Sequence, residues 1–216
     1  MSKSLRFSPL VLLALAGLAG LPGCKEEDPV TPMADAGIAV DLGSSDGGGA
    51  VALSCQSRVP ADGFATRVGS KFRPLTLDQC DGSPYAIYNE DFCSARFTVL
   101  GIAAGWCNPC IYETEMLPAL QAEYEPQGVR IIQVMYQDED YRAASNAYCQ
   151  AWVDRFGLTN VELNDPSQKT QIYFPDGALP STVIIDSTGT IVYRENGASS
   201  NLSSLRTKLD ELLAGS

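Results

Sequence analysis

Two cysteines, spaced two residues apart in Trp106-Cys107-Asn108-Pro109-Cys110, are the side chains of this sequence best suited to chemistry. A pair at that spacing can close into a disulfide and reopen, and so exchange two electrons with another pair of thiols. The attacking species is a thiolate, and surroundings that favour negative charge raise its population. The apolar run Phe97–Ala104 comes directly before the motif and reads as a buried strand; a helical pattern comes directly after. Cys107 is therefore expected at a helix N-terminus, where free N–H groups and the helix dipole favour the thiolate. In this reading Cys107 attacks and Cys110 resolves the mixed disulfide.

The elements that hold this motif are read from apolar periodicity. Residues 68–77 form a short extended entry, and Asp81-Gly82 marks a hairpin turn. A helix is expected over residues 109–124, kinked at Pro118. Residues 129–136 read as the next buried strand and 143–156 as a helix with Cys149, Trp152 and Phe156 along one face. Residues 181–186 and 190–193 form a hairpin around Thr188-Gly189. The last helix covers about 202–213, with Leu202, Leu205, Leu209 and Leu212 as its apolar stripe and Ser200 or Asn201 as its cap. The order β-α-β-α-β-β-α implies an α/β fold, a central mixed sheet with helices on both faces.

Composition excludes several functions. The net charge is -11, which argues against nucleic acid and against electrostatic binding to anionic membranes. There is no histidine. That removes Ser-His and Cys-His catalytic pairs, and zinc or copper sites that need imidazole. No cofactor and no metal are expected. The first 23 residues read as an export signal: Lys3 and Arg6 are basic, and 10–21 is an apolar stretch too short to span a bilayer. It ends in Leu21-Pro22-Gly23-Cys24, which resembles a bacterial lipobox, apart from Pro22. Cys24 is then the lipidation site and the chain is anchored in the bacterial cell envelope, where disulfides persist. Residues 24–54 are rich in Gly, Ala, Asp and Ser and read as a disordered tether spanning roughly 30 Å. The folded domain is placed at residues 55–216.

With its ordered set of local motifs, the chain resembles the thioredoxin fold, and within it the TlpA-like, or redoxin, branch of exported thiol-disulfide oxidoreductases. Three matches carry this: the N-terminal hairpin from Val68-Gly69 to Asp81-Gly82, the dithiol motif, and Leu179-Pro180-Ser181-Thr182 leading to Thr188-Gly189. The resemblance implies a thioredoxin-like fold with an N-terminal β-hairpin extension. It implies a cis Pro180 beside the dithiol, with the backbone of Leu179 presented to a substrate strand and Trp106 shaping the substrate surface. Thioredoxins carry a buried Asp six residues before the first Cys; here that position is Gly101. The TlpA-like branch often has a proton-transferring Glu three residues after the second Cys, and Glu113 stands there. Pro118 lies three residues later than that branch's helix proline, and the plainer reading of Glu113 is an exposed acid in the first helical turn.

Of seven cysteines, Cys55, Cys80, Cys93 and Cys149 remain, and four allow three pairings. Cys80–Cys93 is favoured because the two flank the stretch before the core strand, which leaves Cys55–Cys149; Cys149 fits equally as a buried free thiol. The leading function is an extracytoplasmic dithiol–disulfide oxidoreductase acting as a monomer. Its partners are protein thiol or disulfide substrates and an upstream electron donor. Asn108-Pro109 lacks the His of strong oxidants, which leans towards reduction. Alternatives are a redoxin-type thiol peroxidase, which needs a Thr where Ala104 stands, and a non-catalytic surface lipoprotein that keeps the fold for protein binding.

Overall fold

The computed structural model describes residues 59–215. The expected signal segment, tether, Cys24 and Cys55 lie outside the described residues. Strands β1 (Thr76–Gln79) and β2 (Pro84–Ala86) form the expected hairpin, and Ser83 N–H donates to the Asp81 carboxylate in its turn. A one-turn helix α1 (Glu90–Ser94) follows, capped by the Asn89 side chain. Then come β3 (Phe97–Ala104), α2 (Asn108–Thr114), α3 (Leu117–Tyr124), β4 (Val129–Gln137) and α4 (Asn146–Phe156). The chain continues through β5 (Val161–Asn164), β6 (Ser181–Asp186), β7 (Ile191–Asn196) and α5 (Ser203–Ala214). The seven strands form one mixed sheet in the order β2-β1-β5-β4-β3-β6-β7.

β3 is central because it is apolar on both sides. Leu100 and Ile102 point into one core, Phe97 and Val99 into the other. β4 alternates in the same way, with Ile132, Val134 and Tyr136 opposite Ile131 and Met135. Strands buried on both faces belong in the middle of a sheet. β3 pairs parallel with β4 and antiparallel with β6.

The sequence reading missed β5, and the omission matters. β5 is only four residues long and contains Glu162, so it carries little apolar signal. It pairs parallel with β4 and antiparallel with β1, and it joins the N-terminal hairpin to the sheet. Both crossovers, β3 to β4 and β4 to β5, step the same way across the sheet. Right-handed crossovers then put their helices on the same face. Accordingly Leu120 of α3, Trp152 of α4 and Leu209 of α5 share one core. The opposite face is covered by α1 through Phe92 and by aromatic residues outside the α-helices, with Phe72 and Tyr173 stacked at 4.6 Å.

The same omission explains two wrong disulfides. Cys80 is bonded to Cys149, so neither Cys80–Cys93 nor Cys55–Cys149 forms. Cys80 follows β1, and β1 lies beside β5, so Cys80 comes within reach of α4. Cys93 is in α1, not in the hairpin, and is itself disulfide-bonded, though not to Cys80. The cap of α5 also differs: the Ser204 N–H donates to the Ser199 hydroxyl, while Asn201 and Leu202 take left-handed backbone angles.

Peptide mapping of the oxidised protein is expected to recover Cys80 joined to Cys149. Their separation of 69 residues makes the bond worth about 4 kcal/mol in the loop-entropy account. Cys80→Ser should lower the urea midpoint accordingly, and a Cys80–Cys93 peptide would overturn the assignment.

Candidate active site

β3 ends at Ala104, and the chain turns into the dithiol. The Cys107 N–H donates to the Ala104 carbonyl at 3.1 Å, and the Gly105 N–H donates to the Gln137 carbonyl at 2.8 Å. Cys107 is the N-cap of α2, with Pro109 in the first helical positions. Pro is tolerated there because the first N–H groups of a helix have no intrahelical partner. Cys107 and Cys110 are joined in a disulfide with S–S 2.07 Å. The Cys110 N–H donates to Cys107 Sγ at 3.2 Å. Because α2 has only seven residues, this local N–H is a firmer source of thiolate stabilisation than the macrodipole of a long helix. Both cysteines are buried, packed with Ala103 and Ala104 against Trp106 and Leu179.

The expected single helix is two. Proline cannot donate to the carbonyl four residues back, and its ring clashes there. For Pro118 that carbonyl belongs to Thr114, where α2 ends; α3 restarts with Pro118 in its first positions. The break falls before the proline and does not kink a continuous helix. Thr114 is fully buried and its hydroxyl donates to the Cys110 carbonyl at 2.8 Å. Gln133 Nε2 donates to Thr114 Oγ1 at 2.9 Å, and the Trp152 indole N–H donates to Gln133 Oε1 at 3.1 Å. Sequence reasoning missed Gln133 and Thr114. Gln133 was findable: it is a polar residue inside a doubly buried strand, and such a group needs partners.

The Leu179–Pro180 peptide bond is cis. Ser181 is in register with Ile102 and Thr182 with Gly101, so Pro180 adjoins the end of β3 that feeds the motif. Its carbonyl accepts from the Gly197 N–H at 2.7 Å. Trp106 donates its indole N–H to Gln137 Oε1 at 3.0 Å and stacks on Tyr141, with centroids 4.9 Å apart.

Glu113 is buried, contrary to the plainer sequence reading. Its position three residues after Cys110 puts both on one side of α2. Both line a cavity of about 20 Å³ with Gly101, Gln133, Pro180 and Thr182, room for about one water. Burial pushes its pKa up to about 7, the Glu195 carboxylate adds to the rise, and a hydrogen bond from the Ser199 backbone partly offsets it. Among the described residues no cluster of His, Cys, Asp and Glu could hold a metal ion.

The sequence pattern of the redoxin family matches residues 67–209. The chain belongs to the redoxin family. This redoxin is 26% identical over 127 residues to the thiol-disulfide oxidoreductase ResA of Geobacillus thermodenitrificans, covering 59% of this chain and 68% of that one. It is 29% identical over 120 residues to the thiol:disulfide interchange protein DsbE of Vibrio cholerae, covering 53% and 57%. Its fold is that of the thioredoxin domain of a thiol-disulfide oxidoreductase from Bacteroides vulgatus. The TM-score is 0.53 at 14% identity, covering 67% of this chain and 99% of the other.

The Glu113 shift fixes a pH dependence. The folded state keeps its proton to about pH 7, while the unfolded chain loses it near the ordinary carboxyl value of 4.5. The folded state therefore binds more protons between those values, and stability falls as pH rises through that window. Above it the full penalty stands, on the order of 3 kcal/mol. Glu113→Gln should be more stable than the parent at pH 8, with the difference shrinking below pH 5. Equal urea midpoints at pH 8 would contradict the burial of a charged carboxylate.

Proposed function

We propose that this redoxin is an extracytoplasmic thiol-disulfide oxidoreductase that reduces disulfides in protein substrates. The observation that carries the reading is the Cys107–Cys110 disulfide at a helix start, beside a cis Leu179–Pro180 bond. In the reduced enzyme the Cys107 thiolate attacks a substrate sulfur and forms a mixed disulfide, and the other substrate sulfur leaves as a thiolate. Cys110 then attacks Cys107 Sγ, which releases the second substrate thiolate and closes Cys107–Cys110. Two electrons pass to the substrate, and two protons complete its thiols. A dithiol donor upstream must reopen the enzyme disulfide. The backbone of Leu179 and the Trp106 ring flank the sulfur pair and form the surface that meets the substrate strand.

Glu113 is suited to take the proton of Cys110 as that thiol becomes the nucleophile. A group near pKa 7 can both accept and release a proton at neutral pH. The names of the relatives support the reaction class. The lean towards reduction rests on Asn108-Pro109 between the cysteines. The peroxidase alternative gains nothing from this site, because Ala104 offers no hydroxyl for a peroxide.

Cys110→Ser should accumulate a mixed disulfide with substrate, and Cys107→Ser should not. Alkylation of Cys107 should titrate below the free-thiol value of about 8.5. The reverse trapping pattern, or titration at or above that value, would remove the mechanism.

Anchoring is a separate part of the proposal and rests on Leu21-Pro22-Gly23-Cys24 after the apolar stretch. Cys24 is assigned as the lipidated residue. Cys24→Ser should shift the protein from the detergent phase to the aqueous phase, or leave it unprocessed. Unchanged partitioning would rule the anchor out.

A further inference from the structure

Tyr141 has no part in the mechanism above, yet it is built into the rim of the dithiol. Its ring stacks on Trp106 at an interplanar angle of 15°, and Trp106 is the neighbour of Cys107. Tyr141 remains 66% exposed, so one side of the stack is open to solvent. Its φ is 64°, a left-handed conformation that bulky residues rarely adopt.

The loop that holds Tyr141 is ordered by its own contacts. The Asp138 carboxylate accepts from the N–H groups of Asp140 and Arg142, and Arg142 Nε donates to it at 3.2 Å. Gln137 bridges to Ala143 behind the turn. The loop also needs Gly105, since a Cβ there would lie 2.9 Å from the Glu139 nitrogen and 2.0 Å from the Tyr148 hydroxyl. An exposed aromatic is therefore held against the residue that precedes the attacking cysteine.

The surroundings of Tyr141 give the charge of what it can receive. Asp138, Glu139 and Asp140 precede it and Arg142 follows, an excess of carboxylates. Arg142 is occupied by Asp138 and Asp140, and both members of the Asp140 pair are largely exposed. An exposed ion pair of this kind contributes little and exchanges readily for another cation. An open aromatic face in a loop with an excess of carboxylates suits a guanidinium or ammonium group, attracted by the ring and by the net charge of the loop.

We propose that the outer face of Tyr141, with Asp140 beside it, docks a cationic side chain of the substrate polypeptide, a Lys or Arg close to the cysteine that Cys107 attacks. This rests on the oxidoreductase reading and deepens it: the substrate class is a basic polypeptide disulfide. Docking there positions the substrate sulfur and raises specificity, while the electron transfer stays with the two cysteines.

The test uses two synthetic peptides with the same internal disulfide, one with Arg and one with Glu beside each cysteine. A small neutral disulfide serves as a third substrate. The parent enzyme should prefer the Arg peptide by about tenfold in kcat/KM, and the preference should shrink in high salt. The acidic chain as a whole also repels the Glu peptide, so the deciding readout is the ratio in variants. Tyr141→Ala leaves the charge unchanged and should collapse the ratio towards what net charge alone gives, while Tyr141→Phe keeps it. Asp140→Asn should lower it. Equal efficiency for both peptides in the parent, or a ratio untouched by Tyr141→Ala, overturns the docking site. Failure of the parent to reduce any of the three substrates overturns the oxidoreductase reading, and the docking site with it.

Discussion

The buried hydroxyl of Thr114 fixes where the reactive pair can sit. It donates to the Cys110 carbonyl and accepts from Gln133, which in turn accepts from Trp152. None of these groups has access to bulk water, so each bond lost would leave a partner unsatisfied at about 1–3 kcal/mol. The chain of bonds ties α2 to β4 and to α4. α2 stops at Thr114, where Pro118 cannot continue it, so these bonds hold the last turn of the helix that carries Cys110.

The carboxyl near the dithiol follows from the same arrangement. Where thioredoxins bring an Asp from the strand, this redoxin has Gly101, and a Cβ built there would have no neighbour nearer than 4.0 Å. The strand leaves space, and the helix fills its edge with Glu113 from the other side. With no histidine in the chain, Glu113 is the group at this site whose pKa burial brings to about 7. Burial acts in the same direction on a thiol, so a dry site disfavours the thiolate that the chemistry needs. The Cys110 N–H on Cys107 Sγ is the compensation that the backbone supplies.

The dithiol, β3, β4, the last hairpin and the fold class were legible because each is a local pattern: a fixed spacing, an unbroken apolar run, a turn pair. The cis Leu179–Pro180 bond was expected through the family resemblance alone. What could not be read was pairing between distant elements. β5 is short and interrupted by a carboxylate, so nothing announced the crossover that carries α4 onto the face of α3. The position of Cys149 opposite Cys80 depends on that crossover, and the disulfides were misassigned for that reason. Glu113 was misread for a related cause. A helix pattern gives its face but not the depth at which neighbours such as β7, the source of Glu195, cover it. Tyr141 gave no signal, since a Tyr in an acidic loop is ordinary until the loop is seen folded onto Trp106.

Glu162 shows why a raised pKa is not itself a mark of function. It lies in β5 in register with Gln133, and burial pushes its carboxyl well above the usual range. Neither of its oxygens has a well-formed hydrogen bond, and the nearby Asn160 offsets the burial only in part. Like Glu113, it holds its proton more tightly in the folded state, so it too lowers stability as pH rises. Unlike Glu113, it shares no cavity with the sulfur pair. Its neighbour is the other disulfide: Cys80 Sγ lies 3.9 Å from the Glu162 carbonyl oxygen. That bond links the end of β1, the strand beside β5, to α4. A raised pKa reports burial at both glutamates; at Glu113 it is the cavity shared with Cys110, not the shift, that suits the group to proton transfer.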